Sequence, residues 1–185
     1  VMMESHDIEL DFDNNFRIST YENVHVIKKV FKNFDDEANV EIVIESGQKL
    51  SNIEARTITS DGRSIPVEKK EFHEIRGSGD NEIFYSDSKT VKFTFKSVEK
   101  DAILEYHYNI RNDFAFFDDV WYIQHNIPVI RNMYTLHVPQ ILLDNGWNWI
   151  FKPYNYNVGL PALSEPPKGS TTQLQMKKTF QWVIK

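Results

Sequence analysis

Apolar and polar residues alternate with a period of two along most of the chain. Ile8, Leu10 and Phe12 alternate with Glu9, Asp11 and Asp13, and Val40, Ile42 and Ile44 share one parity. Val91, Phe93 and Phe95 alternate with Lys92, Thr94 and Lys96. Leu104, Tyr106, Tyr108 and Ile110 alternate with Glu105, His107, Asn109 and Arg111. Leu174, Met176, Phe180, Trp182 and Ile184 keep one parity near the end. Successive side chains of a strand point to opposite faces, so each run predicts a strand with one face on a core and the other in water. Val24, Ile27, Phe31 and Phe34 have helical spacing, but Val24, Val26, Ile27 and Val30 are β-branched and no cap precedes them. Such side chains are stiff against a helical turn, and this stretch is read as a strand.

Turn residues separate the runs. Ser60-Asp61-Gly62-Arg63, between Ile53–Thr59 and Ile65–Val67, predicts a hairpin turn. Gly77–Asn81 reads as a loop and Asp144-Asn145-Gly146 as a further turn. Pro161–Gly169, with three prolines, reads as a long irregular excursion. About a dozen short strands with little helix predict an all-β fold. The expectation is one antiparallel β-sandwich over residues 1–185, immunoglobulin-like in general architecture, with Phe93, Phe95, Leu104, Tyr106, Tyr108 and Trp182 facing inward.

Composition narrows the function. The 185 residues include 13 Phe, 8 Tyr and 4 Trp, which favours pleated, half-buried surfaces. The net charge of −6 repels phosphate backbones, so nucleic acid is not an expected partner. No apolar stretch approaches the ~20 residues of a membrane span. With no cysteine there is no disulfide and no cysteine nucleophile within these residues. The chain opens at Val1 and stops inside an alternating run at Ile184-Lys185, so both ends are expected to be cuts within a longer protein.

Candidate chemistry is sparse. His6, His25, His73, His107, His125 and His137 include no pair spaced to place two imidazoles on one helix face, and they read as solvated or cross-strand residues. The acidic groups Asp11/Asp13, Asp35-Asp36-Glu37 and Asp118-Asp119 lack the order of a calcium loop and read as turn residues. No serine sits in a nucleophile elbow. No catalytic, cofactor or metal residue is assigned. The most distinctive feature is an aromatic cluster, Trp147, Trp149, Phe151, Tyr154 and Tyr156, interleaved with Asn145, Asn148, Asn155 and Asn157. Such a pattern describes core packing in a hairpin, or a platform on which rings stack against sugar faces. Trp147, Trp149, Tyr154 and Tyr156 are the candidate interaction surface, for a neighbouring domain, another protein or a glycan.

Three blocks resemble a known family. Ser51–Gly62 reads SNIEARTITSDG, and Lys89–Asn112 reads KTVKFTFKSVEKDAILEYHYNIRN. Asp119-Val120-Trp121-Tyr122-Ile123-Gln124 is followed by Ile127-Pro128-Val129 and Tyr134–Pro139. Their order resembles the DUF3857 family from about Val24 to Lys185, although the stretch around Leu163–Pro167 is longer than that pattern. The resemblance implies a β-sandwich at the N-terminal side of a bacterial multidomain protein, in the periplasm or cell envelope. It further implies that a transglutaminase-like domain with a Cys-His-Asp triad follows. It carries no catalytic residue onto this chain. The expected role is a non-catalytic domain that positions or caps that neighbour; the alternative is a glycan-binding module.

Overall fold

The computed structural model describes residues 2–12, 17–32, 35–76, 88–113, 121–122, 125, 127–146, 171–172 and 177–184. Its strands form two sheets. The large sheet is built from β1 (Met2–Phe12), β2 (Ile18–Lys29), β4 (Gln48–Ile58), β5 (Ser64–Pro66), β8 (Ile103–Asn112), β9 (Val129–Pro139), β10 (Thr171–Thr172) and β11 (Lys177–Ile184). Its order is β10-β11-β9-β1-β2-β8-β4-β5. The small sheet holds β3 (Asn39–Ile44), β6 (His73–Arg76) and β7 (Lys89–Thr94), in the order β3-β7-β6. The chain is therefore all-β, as the alternation requires; of the stretch from Val24, the residues up to Lys29 are strand, Val30 and Phe31 follow its end, and Phe34 lies outside the described residues. One pairing departs from the antiparallel expectation: β1 runs parallel to β9, with a register shift between Met2 and Met3. Parallel neighbours need a long crossover between them, and here β2 through β8 lie between the two strands in the chain. Two short helices, α1 (Asp35–Ala38) and α2 (Gln140–Asp144), were not legible in a period-two pattern.

The predicted turn at Ser60–Arg63 closes the β4–β5 hairpin. Thr59 N–H donates to the Arg63 carbonyl at 2.9 Å, and Gly62 N–H donates to the Thr59 carbonyl at 2.9 Å. The Thr59 hydroxyl bonds Asp61, while Arg63 Nε donates to Asp61 Oδ2 at 2.7 Å. Gly62 has φ +86°, a conformation that a side chain disfavours. Asn145-Gly146 also ends as read, closing α2 with Gly146 at φ +82°.

Register places one face of the large sheet inward. Residues directly opposite one another share a face, and the row Asn132–Glu4–Val26–Tyr106–Ala55 crosses five strands on that side. The small sheet covers the β4–β8 end. Val40, Ile42, Ile44, Val91, Phe93 and Phe95 pack there with Ala55 and Leu104. Phe93, Phe95 and Leu104 are buried as the parity predicts, and Tyr106 and Tyr108 pack against the rim of this core. The side chain of Trp182 lies outside the described residues. A second cluster under α2 joins Ile8, Leu10, Ile18, Tyr134, Leu136 and Val138 to Leu142. Each fully buried aliphatic or aromatic side chain contributes about 1.5–3 kcal/mol.

Candidate functional site

Between these two cores the inner face carries charge. Extending the Ile8, Leu10, Phe12 parity backwards places His6 and Glu4 on the buried side of β1. Glu22 joins them from β2, opposite Ile8. His6 Nδ1 lies 2.6 Å from Glu22 Oε1, and His6 Nε2 lies 2.9 Å from Glu4 Oε1. The second oxygen of Glu4 lies 2.7 Å from His125 Nε2. The Glu4 side chain is only 10% exposed. With both ring nitrogens donating to carboxylates, His6 is an imidazolium. Burial alone would lower its pKa, but the hydrogen bonds to Glu22 and Glu4 reverse this and raise it to about 9. Burial likewise pushes Glu4 up, and its bonds to His6 and His125 bring it below the usual value.

Aromatic rings wall this seam. Tyr134 stacks on His6 with centroids 6.4 Å apart, and Trp121 packs on Tyr134 at 5.4 Å. Trp121 Nε1–H donates to Asn132 Oδ1 at 2.7 Å, and Asn132 Nδ2 donates to the Tyr122 carbonyl at 2.8 Å. These bonds and the His125–Glu4 pair fasten Trp121, Tyr122 and His125 to β1 and β9. On the other side Tyr106 and Tyr108 stack nearly parallel, with centroids 6.3 Å apart and planes 7° from each other. Burial above all raises both phenols, helped by Glu4 at Tyr106 and by Tyr106, Glu22 and Glu4 at Tyr108, so they stay protonated. Lys28 reaches over the Tyr106 ring, 6.0 Å from its centroid, and burial lowers its pKa.

The arrangement is a chain of ion pairs and not a converging cage. Glu22 and Glu4 sit on opposite nitrogens of one imidazole, so a single ion cannot take both through His6. No group of three or more His, Asp or Glu suited to a metal occurs among the described residues. A free general base needs an available nitrogen, and both nitrogens of His6 are occupied. The outer sheet face repeats the device at the surface. Glu105 accepts from Arg56 Nε at 2.6 Å and pairs with His25 Nε2 at 2.9 Å. A groove of about 410 Å³ on the small sheet is lined by Glu41, Glu71, Lys92 and Lys96. Its lysines are paired too, Lys92 with Glu41 at 2.6 Å and Lys96 with Glu71 at 2.7 Å.

The histidines therefore divide. His107 and His73 are exposed, and His137 is half-buried on the outer face, 2.9 Å from Asp7. His6 fits the cross-strand reading through its bond to Glu22 on β2, and it is also the centre of the inner-face network. The signal was available in the parity of β1, where two ionisable residues continue an apolar row. Trp147, Trp149, Tyr154 and Tyr156 lie outside the described residues, as do Asp118-Asp119 and Asp13.

Fold and site together define a two-sheet, all-β domain whose internal charges are tied to one another. Residues 7–182 match the model of DUF3857, described as a domain of unknown function with solved structure. The chain belongs to this family, and the match begins within β1 at Asp7, upstream of the three blocks read in the sequence. No curated protein matches the chain. The fold is similar to that of a solved structure described as "a putative protease" from Parabacteroides distasonis ATCC 8503, with a TM-score of 0.66 at 14% identity. The likeness covers 99% of this chain and 35% of that longer one.

Proposed function

We propose that this chain is a non-catalytic domain that accompanies a protease-like or transglutaminase-like domain and positions or caps it. The observation that carries the reading is the coverage: the whole of this chain corresponds in fold to about a third of a longer chain described as a putative protease. The inner-face chemistry agrees, because the His6 imidazole is held between two carboxylates, which leaves neither ring nitrogen for a nucleophile. The aromatic residues Trp147, Trp149, Tyr154 and Tyr156 are the proposed contact with that neighbour, and the bacterial cell envelope is the proposed location.

The test is expression of the reading frame beyond Lys185, alongside the 185-residue chain. The reading expects peptide or amide hydrolysis only from the longer product. It also expects loss of that activity or of domain docking when Trp147 and Tyr154 are both replaced by Ala. Hydrolysis by the 185-residue chain that disappears on a single substitution overturns the proposal.

A further inference from the structure

The ends of the two sheets are not alike. β10 is two residues long, and β5 is three residues ending in Pro66. β6 carries Glu74 and Arg76 and pairs Glu74 with Lys89 at 2.8 Å. Short length, proline and charge are the devices that keep a sheet edge from accepting another strand. β3 is neither short nor interrupted by proline. It is a regular six-residue strand, NVEIVI, without proline, lysine or bulge. Its one carboxylate, Glu41, is neutralised by Lys92. Among the described residues, no backbone hydrogen bond reaches Val40–Ile44 apart from the ladder to β7. One row of the outer face beside this edge exposes apolar side chains: Val43 is 61% exposed and Ile75 is 48% exposed, with Thr90 between them.

We infer that β3 is a self-association edge, where a second copy of this chain adds its own β3 antiparallel to form a six-stranded sheet across a two-fold axis. The sequence of the strand selects both the occupant and the register. Centred on Glu41, the pairing opposes Glu41 to its own symmetry mate. Centred on Val43, it opposes Glu41 to Glu45. Like charges directly opposite one another destabilise a strand pair. Centred on Ile42, it opposes Ile42 to Ile42, Val40 to Ile44, and Glu41 to Val43. This register opposes no like charges, pairs β-branched residues on the inner face, and lays the stem of each Glu41 against the exposed Val43 of the other copy.

The register makes two opposite substitutions distinguishable. Val43→Glu places a carboxylate across from Glu41 of the second copy, twice per dimer, whereas Val43→Lys places an ammonium there. Val43 is outside the core, so both variants keep the monomer fold, which thermal unfolding at low concentration verifies. Sedimentation equilibrium of the 185-residue chain is expected to show a concentration-dependent monomer–dimer equilibrium. Val43→Glu should weaken it about tenfold or more, from two repulsive pairs. Val43→Lys should leave it unchanged or tighten it, with a gain that salt removes. A monomeric wild-type chain at all concentrations overturns the inference. Equal weakening by Glu and Lys overturns the register and with it the assignment of the edge.

Discussion

Replacing His6 with alanine is the sharpest probe of the inner face. The substitution leaves Glu4 and Glu22, whose side chains are 10% and 19% exposed, with His125 as the remaining partner in the chain of bonds. Removing one member of a buried ion pair typically costs about 3–5 kcal/mol, because a charge stays behind without compensation. A histidine whose folded pKa is raised contributes its full stabilisation below its unfolded pKa of 6.5 and loses it as pH rises through about 9. At ~1.4 kcal/mol per pKa unit, that loss is on the order of 3 kcal/mol. Glu4 runs in the opposite sense: its lowered pKa stabilises fully above 4.5 and loses that contribution as pH falls through its folded value. The network is therefore strongest between about 4.5 and 6.5. Urea unfolding of wild type and His6→Ala across this range and up to pH 10 measures the difference. It should be about 3–5 kcal/mol near pH 6 and shrink to about 1 kcal/mol at pH 10. A difference below about 1 kcal/mol at pH 6, or one that does not vary with pH, refutes the reasoning: it would mean that water screens the network.

Three further outcomes test the packing. Leu104→Ala should cost about 2–5 kcal/mol because Leu104 is fully buried, whereas exposed His107→Ala should cost under about 0.5 kcal/mol, read from denaturant midpoints. Equal losses would mean that β8 is assigned to the wrong face. Thr57 is fully buried and its hydroxyl has no hydrogen-bond partner, so Thr57→Val should stabilise by about 1 kcal/mol, and a lowered melting temperature would contradict this. At Gly62 the space for a Cβ is open but φ is +86°, so Gly62→Ala should cost about 1–2 kcal/mol from backbone strain alone; an unchanged midpoint would count against it.

The strands were legible because a half-buried sheet imposes a period of two on the sequence. Phe93, Phe95 and Leu104 were identified from parity, and the Asp61-Gly62 turn from its chemistry. Pairing was not legible in the same way. Nothing local in Met2–Phe12 distinguishes a neighbour that runs parallel from one that runs antiparallel, because that choice depends on where β9 arrives. α1 and α2 were missed because four or five residues are too few to show a helical period. The His6 network was overlooked for a different reason. Histidine spacing along the chain does not reveal it, because Glu4, His6, Glu22 and His125 meet only after β1 has paired with both of its neighbours. A polar residue on an apolar parity was the one local sign, and it names the residue without naming its partners.

The central position of β1 has a consequence for how the chain is made. Within this domain β1 is synthesised before the other strands, yet it sits in the middle of the large sheet, between β2 and β9. β2 follows at once and can form a hairpin with it. β9 begins only at Val129, so one side of that hairpin waits unpaired until the chain has been made that far. Folding dominated by such distant pairings is slow, and a waiting strand is open to the wrong neighbour. Meanwhile the acidic outer row Asp7, Glu9 and Asp11 gives the nascent hairpin a charged flank. In translation-arrested chains, protease protection of β1 should rise sharply once β9 has cleared the exit tunnel, and little before.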